Sequence, residues 1–145
     1  MYQAASQDGI TLWISSGYRS PTLQAQLYQQ EIDDNLAKGM TENEAVEAAD
    51  RAVQKPGYSE HNTGLAMDFN TVNDSFKDTN TYAWLMEHAE DYGFVLRYPE
   101  DKEDITGIMY EPWHFRYVGV EHAKKMNELH MCLEEYVEYV RSQQS

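Results

Sequence analysis

Four short β-prone runs, spaced by stretches of helical pattern, constrain this chain more than any other feature of its sequence. They are Ile10–Ser16, Gly64–Phe69, Gly93–Tyr98 and Trp113–Val118, and none exceeds seven residues. The first, third and fourth are rich in β-branched or aromatic residues, the signature of a strand rather than a helix, and Gly64–Phe69 reads as a buried strand. Two helical patterns separate the first pair and one separates the second and third. Strands this short, joined by hairpins or long loops with helices grouped elsewhere, argue for an α+β domain with a mainly antiparallel sheet flanked by helices.

The helical patterns carry their own punctuation. Ser20 followed by Pro21 is an N-cap with a first-position proline. Leu23, Leu27, Tyr28 and Ile32 give that helix an apolar face, and Gly39 ends it. Thr41-Glu42-Asn43-Glu44 is a capping box opening a second helix through about Val53, with Ala45, Val46, Ala49 and Val53 inward. Lys55-Pro56-Gly57 stops it. Thr79 or Asn80 caps a third helix, with Trp84, Leu85, His88 and Ala89 on one face. Met126, Leu129, Leu133, Val137 and Val140 mark one amphipathic C-terminal helix. No repeat, low-complexity tract or Pro/Gly-rich linker interrupts the chain, so residues 1–145 read as one domain. Tyr2 to Gly9 read as the last turns of a helix entered midway, an expectation that an export or anchor segment lies upstream.

Charge narrows the partners. Lys and Arg total 11 against 25 Asp and Glu, a formal charge of −14. Binding to nucleic-acid phosphates draws on dense Lys and Arg, so no nucleic-acid partner is expected, nor attachment to an anionic membrane. No apolar run approaches the roughly 18–20 residues of a membrane span. The chain also lacks a basic segment leading into an apolar one, so it carries no signal peptide of its own. Cys132 is the only cysteine, which excludes an internal disulfide and a Cys-rich zinc site. A monomer is expected.

Two segments carry chemistry: Ser59-Glu60-His61-Asn62-Thr63-Gly64-Leu65-Ala66-Met67-Asp68 and Glu111-Pro112-Trp113-His114. Taken singly, a loop histidine is more often a hydrogen-bonded surface residue, a strand-end aspartate a turn residue, and Glu-Pro-Trp a turn on a core tryptophan. Taken together they offer what a catalytic Zn²⁺ needs, three N/O ligands and one open position. His61, Asp68 and His114 supply that set, and Glu111 is the nearby carboxylate able to act as general base. Ala66, on the same strand face as Asp68, leaves room beneath a metal. Pro112 keeps Glu111 and His114 out of a regular helix interior, so this is not a helical H-E-x-x-H site. His88, His122 and His130 lie in helical stretches without ligand-like partners.

The S-x-H-x-x-G-x-A-x-D pattern from Ser59 to Asp68, with E-x-W-H from Glu111 to His114, resembles the D-alanyl-D-alanine carboxypeptidases of the VanY type. These sit in a wider zinc peptidase group with D-Ala-D-Ala dipeptidases, L,D-carboxypeptidases and some phage endolysins. The resemblance extends to Ser16-Gly17-Tyr18-Arg19-Ser20 with Gln24, to Pro56-Gly57, and to Tyr92-Gly93-Phe94 with Arg97-Tyr98-Pro99. It implies a hedgehog/DD-peptidase-like fold, zinc on His61, Asp68 and His114, and Glu111 as base. Arg19 corresponds to an arginine near the scissile carbonyl, and Gln24, Ser59, Tyr98 and Trp113 to positions lining the substrate site. The implied reaction is zinc-dependent D,D-carboxypeptidase hydrolysis of the C-terminal D-Ala-D-Ala bond of peptidoglycan stem peptides, in the extracytoplasmic cell envelope. L,D-carboxypeptidase action on tetrapeptide stems stands as the alternative, and a non-catalytic zinc-stabilised binding module as a remoter one.

Overall fold

The computed structural model covers residues 1–145. In chain order the elements are α1 (Tyr2–Gln7), β1 (Ile14–Ser16), α2 (Pro21–Ala37), α3 (Glu42–Ala52), β2 (Ala66–Phe69), α4 (Asn80–His88), β3 (Phe94–Leu96), α5 (Glu103–Thr106), β4 (His114–Tyr117), α6 (Val120–Leu129) and α7 (Leu133–Gln143). The strands form one sheet in the order β1-β2-β4-β3, and every pairing is antiparallel. The expected α+β architecture is therefore present, with no helix long and apolar enough to cross a membrane.

Register decides what each face of the sheet does. Between β2 and β4, Ala66 opposes Arg116, Met67 opposes Phe115 and Asp68 opposes His114. Alternation then sends Met67, Phe69 and Phe115 to one face and Asp68 and His114 to the other. The first face packs into the main core, where Phe69 and Phe115 join Ala5, Leu12, Phe76, Trp84 and Leu85 from α1, α4 and their connections. On the opposite face Val95 packs with Ala123, Met126 and Tyr136, anchoring α6 and α7. The polar end of that second face is left for the cleft.

The capping signals hold. Ser20 Oγ accepts from Leu23 N, and Thr41 with Glu44 forms the complete capping box. Thr79 caps α4 by accepting from Tyr82 N. Gly93 sits at φ +85°, where a Cβ would lie 2.6 Å from the Tyr117 ring and 3.0 Å from the Gly119 backbone. Only glycine fits between helix and strand there.

Four expectations need correction. The first strand is shorter than Ile10–Ser16, because Thr11 and Trp13 bond to one residue rather than to a strand. Asn70, at φ +53°, accepts from Trp13 N through Oδ1 at 2.9 Å and donates from Nδ2 to Thr11 O at 2.9 Å. The apolar face of α2 is not its buried face: Leu23 and Leu27 are exposed, while Gln24 and Asn35 are buried. Asn35 donates to Ala45 O at 3.3 Å, and Tyr28 OH donates to Asp50 at 2.7 Å, so polar contacts join α2 to α3. In α3 only Ala45 and Ala49 are fully buried, with Val46 and Val53 half-buried. Finally, the C-terminal pattern is two helices, broken where His130 takes a left-handed conformation at φ +53°.

Leu85 is wholly buried in the main core. Leu85→Ala is expected to destabilise the domain by about 2–5 kcal/mol, read from urea unfolding midpoints at unchanged m-value.

Candidate active site and metal centre

A short 3₁₀ turn, Glu60–Thr63, presents His61. Ser59 caps it, its Oγ accepting from His61 N at 3.3 Å, and Gly64 closes it in the left-handed region at φ +77°. That turn is tied to the segment after β1. Arg19 N donates to His61 O at 2.9 Å, Asn62 Nδ2 donates to Arg19 O at 2.6 Å, and His61 Nδ1 lies 2.8 Å from Gly17 O. The last contact fixes a tautomer: Nδ1–H donates to the carbonyl, leaving the Nε2 lone pair inward. Nε2 lies 3.2 Å from Asp68 Oδ2.

Asp68 and His114 meet through the β2–β4 register. His114 Nδ1 is 2.9 Å from Asp68 Oδ1, and its Nε2 is 2.9 Å from Glu60 Oε1. One ligand atom from each of His61, Asp68 and His114 lies within 4.8 Å of the others. A tetrahedral Zn²⁺ with bonds of about 2.0–2.1 Å sets its ligands about 3.3 Å apart, so the spacing fits. Both imidazoles also have an oxygen on their outward nitrogen, Gly17 O and Glu60, the arrangement that orients metal-binding histidines. The donor set therefore fits a metal of the zinc type.

The turn before β4 supplies the third carboxylate. Glu111 N donates to Tyr98 O at 3.1 Å and His114 N donates to Glu111 O at 3.2 Å, with Pro112 buried between. Glu111 Oε2 lies 3.7 Å from His114 Nδ1, beside the ligands and not among them. Arg19 approaches Asp68 Oδ2 at 3.9 Å and donates to Ser16 Oγ at 3.0 Å and Gln24 Oε1 at 2.8 Å. Tyr98 tilts its ring against His114, with centroids 5.0 Å apart.

Electrostatics follow from packing these groups out of water. Burial pushes Asp68 up, but hydrogen bonds from His114 and His61 outweigh it and hold the carboxyl below its usual range. Glu60 behaves alike: burial raises it, while the His114 bond and the Arg97 charge bring it down to about 2. Burial drives Glu111 up to about 7; His114 opposes this, while the Asp68 and Glu60 charges add to it. His114 is pushed down by burial, yet Asp68 and Glu60 together raise it. Glu60 is thus balanced by Arg97 and Arg116, while Asp68 and Glu111 face the imidazole pair with Arg19 beside them.

All nine residues singled out in the sequence line one cleft of about 300 Å³: Glu111, Arg19, Gln24, Ser59, Tyr98, Trp113, His61, Asp68 and His114. Their placements differ in kind. Gln24 is fully buried and spent on protein contacts, accepting from Arg19 and donating to Gln54 O at 2.5 Å, so it orients the arginine. Trp113 packs into the main core and also lines the cleft. Sequence reasoning gave no role to Glu60, Gln54 or Arg97. Glu60 Oε2 accepts from Arg97 Nε and Arg116 Nη1, each at 2.9 Å, and Gln54 donates to Tyr98 OH at 3.2 Å. Adjacency to His61 was the only signal for Glu60, and it does not say which histidine the carboxylate serves.

The sheet thus carries a His-Asp-His group able to hold a metal, with a glutamate beside it. The chain belongs to the VanY family, D-alanyl-D-alanine carboxypeptidase, whose model matches residues 1–120. It is 41% identical over 137 residues to a D-alanyl-D-alanine carboxypeptidase of Enterococcus faecalis, covering 94% of this chain and 51% of that protein. The structure of a vancomycin resistance D,D-pentapeptidase VanY variant in complex with Zn(II) is 43% identical, with a TM-score of 0.85 over 94% of this chain and 76% of the other. That of the LD-carboxypeptidase LdcB is also 43% identical, with a TM-score of 0.81 over 95% of this chain and 63% of the other. The chain spans about half the length of the curated relatives it matches.

Gln24→Ala would leave the Gln54 carbonyl and one Arg19 N–H without their buried partners. A loss of about 1–3 kcal/mol in chemical unfolding is expected, although no metal donor is removed.

Proposed function

We propose that residues 1–145 form a zinc-dependent D,D-carboxypeptidase domain that removes the terminal D-alanine from peptidoglycan stem peptides. The observation that carries this reading is the placement of Glu111 beside, but outside, the converged His61, Asp68 and His114 donors, with Arg19 lining the same cleft. Support comes from the VanY relatives, among them the D,D-pentapeptidase structure that holds Zn(II).

His61 Nε2, Asp68 and His114 Nδ1 are the atoms that would hold the ion. When bound, zinc supplies Lewis acidity and a nucleophilic water at neutral pH. Glu111 takes the proton of the attacking water as the new C–O bond forms, then delivers it to the amine as the C–N bond breaks. Arg19 sits where it can hold the oxyanion that develops on the scissile carbonyl, pre-aimed by Gln24 and Ser16. Tyr98 and Trp113 form an aromatic wall against a small D-Ala methyl, and Ser59 offers a hydroxyl at the cleft wall. Such a substrate is met in the extracytoplasmic envelope, which is where this reading has the enzyme act.

L,D-carboxypeptidase action on tetrapeptide stems is the second reading. It is favoured by LdcB, as similar in sequence to this chain as the D,D-pentapeptidase structure is.

Digestion of defined tetra- and pentapeptide stems, followed by mass spectrometry, separates the two. Loss of one D-Ala from the pentapeptide alone is expected, and cleavage confined to the tetrapeptide would establish the L,D reading. Glu111→Ala should lower turnover by about 10²–10⁴ while metal content stays near one equivalent. An unimpaired Glu111→Ala enzyme would remove Glu111 from the mechanism. Dialysis against a chelator should abolish activity and Zn²⁺ should restore it; activity surviving metal removal would refute the zinc assignment.

A further inference from the structure

We infer that Glu60 is a positioning residue for the metal centre, holding the His114 ring so that Nδ1 faces the other two ligands. The inference rests on the reading of His114 as a ligand and extends it to a residue outside the donor set. His114 has two ring nitrogens and two carboxylates within reach: Asp68 Oδ1 at 2.9 Å from Nδ1, and Glu60 Oε1 at 2.9 Å from Nε2. Only Nδ1 faces the converged donors, so Nε2 must keep its hydrogen for Nδ1 to present a lone pair. Glu60 accepts that hydrogen.

Glu60 is itself fixed in place. Its side chain is about 10% exposed, and its other oxygen accepts from both Arg97 Nε and Arg116 Nη1 at 2.9 Å. Arg97 in turn is gripped from the far side by Glu134 of α7, through a fork of bonds at 2.9 and 2.6 Å. It also lies over the Tyr98 ring, 4.6 Å from its centroid. Bidentate, charge-assisted bonds of this kind set orientation as well as supplying energy. The carboxylate cannot swing away without unpairing two guanidinium groups, so the His114 ring is locked before any metal arrives. A purely structural ion cluster would need no bond to a ligand; this one ends on His114.

Competition of Zn²⁺ against a chromophoric chelator, with folding followed by circular dichroism, tests the assignment. Wild type should bind one equivalent and His114→Ala none; a wild type that binds no Zn²⁺ would instead overturn the metal-site reading on which this rests. Given binding, Glu60→Ala should weaken affinity about 10–100-fold. Glu60→Gln, which keeps an oxygen for Nε2–H, should recover part of that loss. A folded Glu60→Ala protein with wild-type Zn²⁺ affinity overturns the inference. Should Glu60→Ala fail to fold, nitrogen NMR of the His114 ring in Zn²⁺-loaded wild type decides. A protonated Nε2 with Nδ1 on the metal supports it, and the opposite tautomer refutes it.

Discussion

Asp68 and His114 stand directly opposite each other in the β2–β4 ladder, and the site depends on that register. A slip of β4 by one residue against β2 would turn His114 to the apolar face and bring Phe115 into the cleft. Main core and site are thus specified by the same pairing. The aromatic residues that alternate with Asp68 and His114 bury themselves against α1 and α4, and in doing so aim both polar side chains into the cleft. The stability of the sheet and the precision of the donor set are one property seen from two faces.

The site's polar groups then have to be kept charged in a place with little water. The three carboxylates are handled in two ways. Asp68 and Glu60 are surrounded by donors and stay ionised, whereas Glu111, with its nearest cationic neighbour shared by the other two, feels burial most. Similar side chains a few ångströms apart thereby acquire different protonation behaviour, which suits the division of tasks proposed above. Arg19 gives the cleft its one directed positive charge on the substrate side, and it too is aimed by neighbours: Ser16 from β1 and Gln24 from α2.

Much of this was legible in the sequence, and what was not has physical reasons. Elements with local signals were readable: the Ser20-Pro21 start, the Thr41 capping box and the Thr79 cap all act within four residues. The cleft residues were readable because two compact motifs carry them. Periodicity misled where polar groups replaced apolar ones in buried positions, as with Gln24 and Asn35 on α2. It also misled at His130, since an amphipathic stripe continues in sequence through a left-handed break. The β1 segment looked longer than it is because the Asn70 side chain satisfies backbone groups that a strand would otherwise pair. Glu60 stayed silent because its partners, Arg97, His114 and Arg116, are distant in sequence, and nothing local announces such a convergence.

The family model ends at residue 120, yet the fork that steadies Arg97 comes from Glu134 on α7. The proposed ligands His61, Asp68 and His114, with Glu111 and Arg19, all precede that point, so α7 adds no donor to the cleft. Mechanically it acts as a remote strut, coupling the packing of Tyr136 against Val95 and Met126 to the stiffness of the cleft. Sequence drift in this terminal helix would therefore tune how rigidly the ligands are held without touching any of them. Relatives that share the same donors could differ in metal retention through their tails alone.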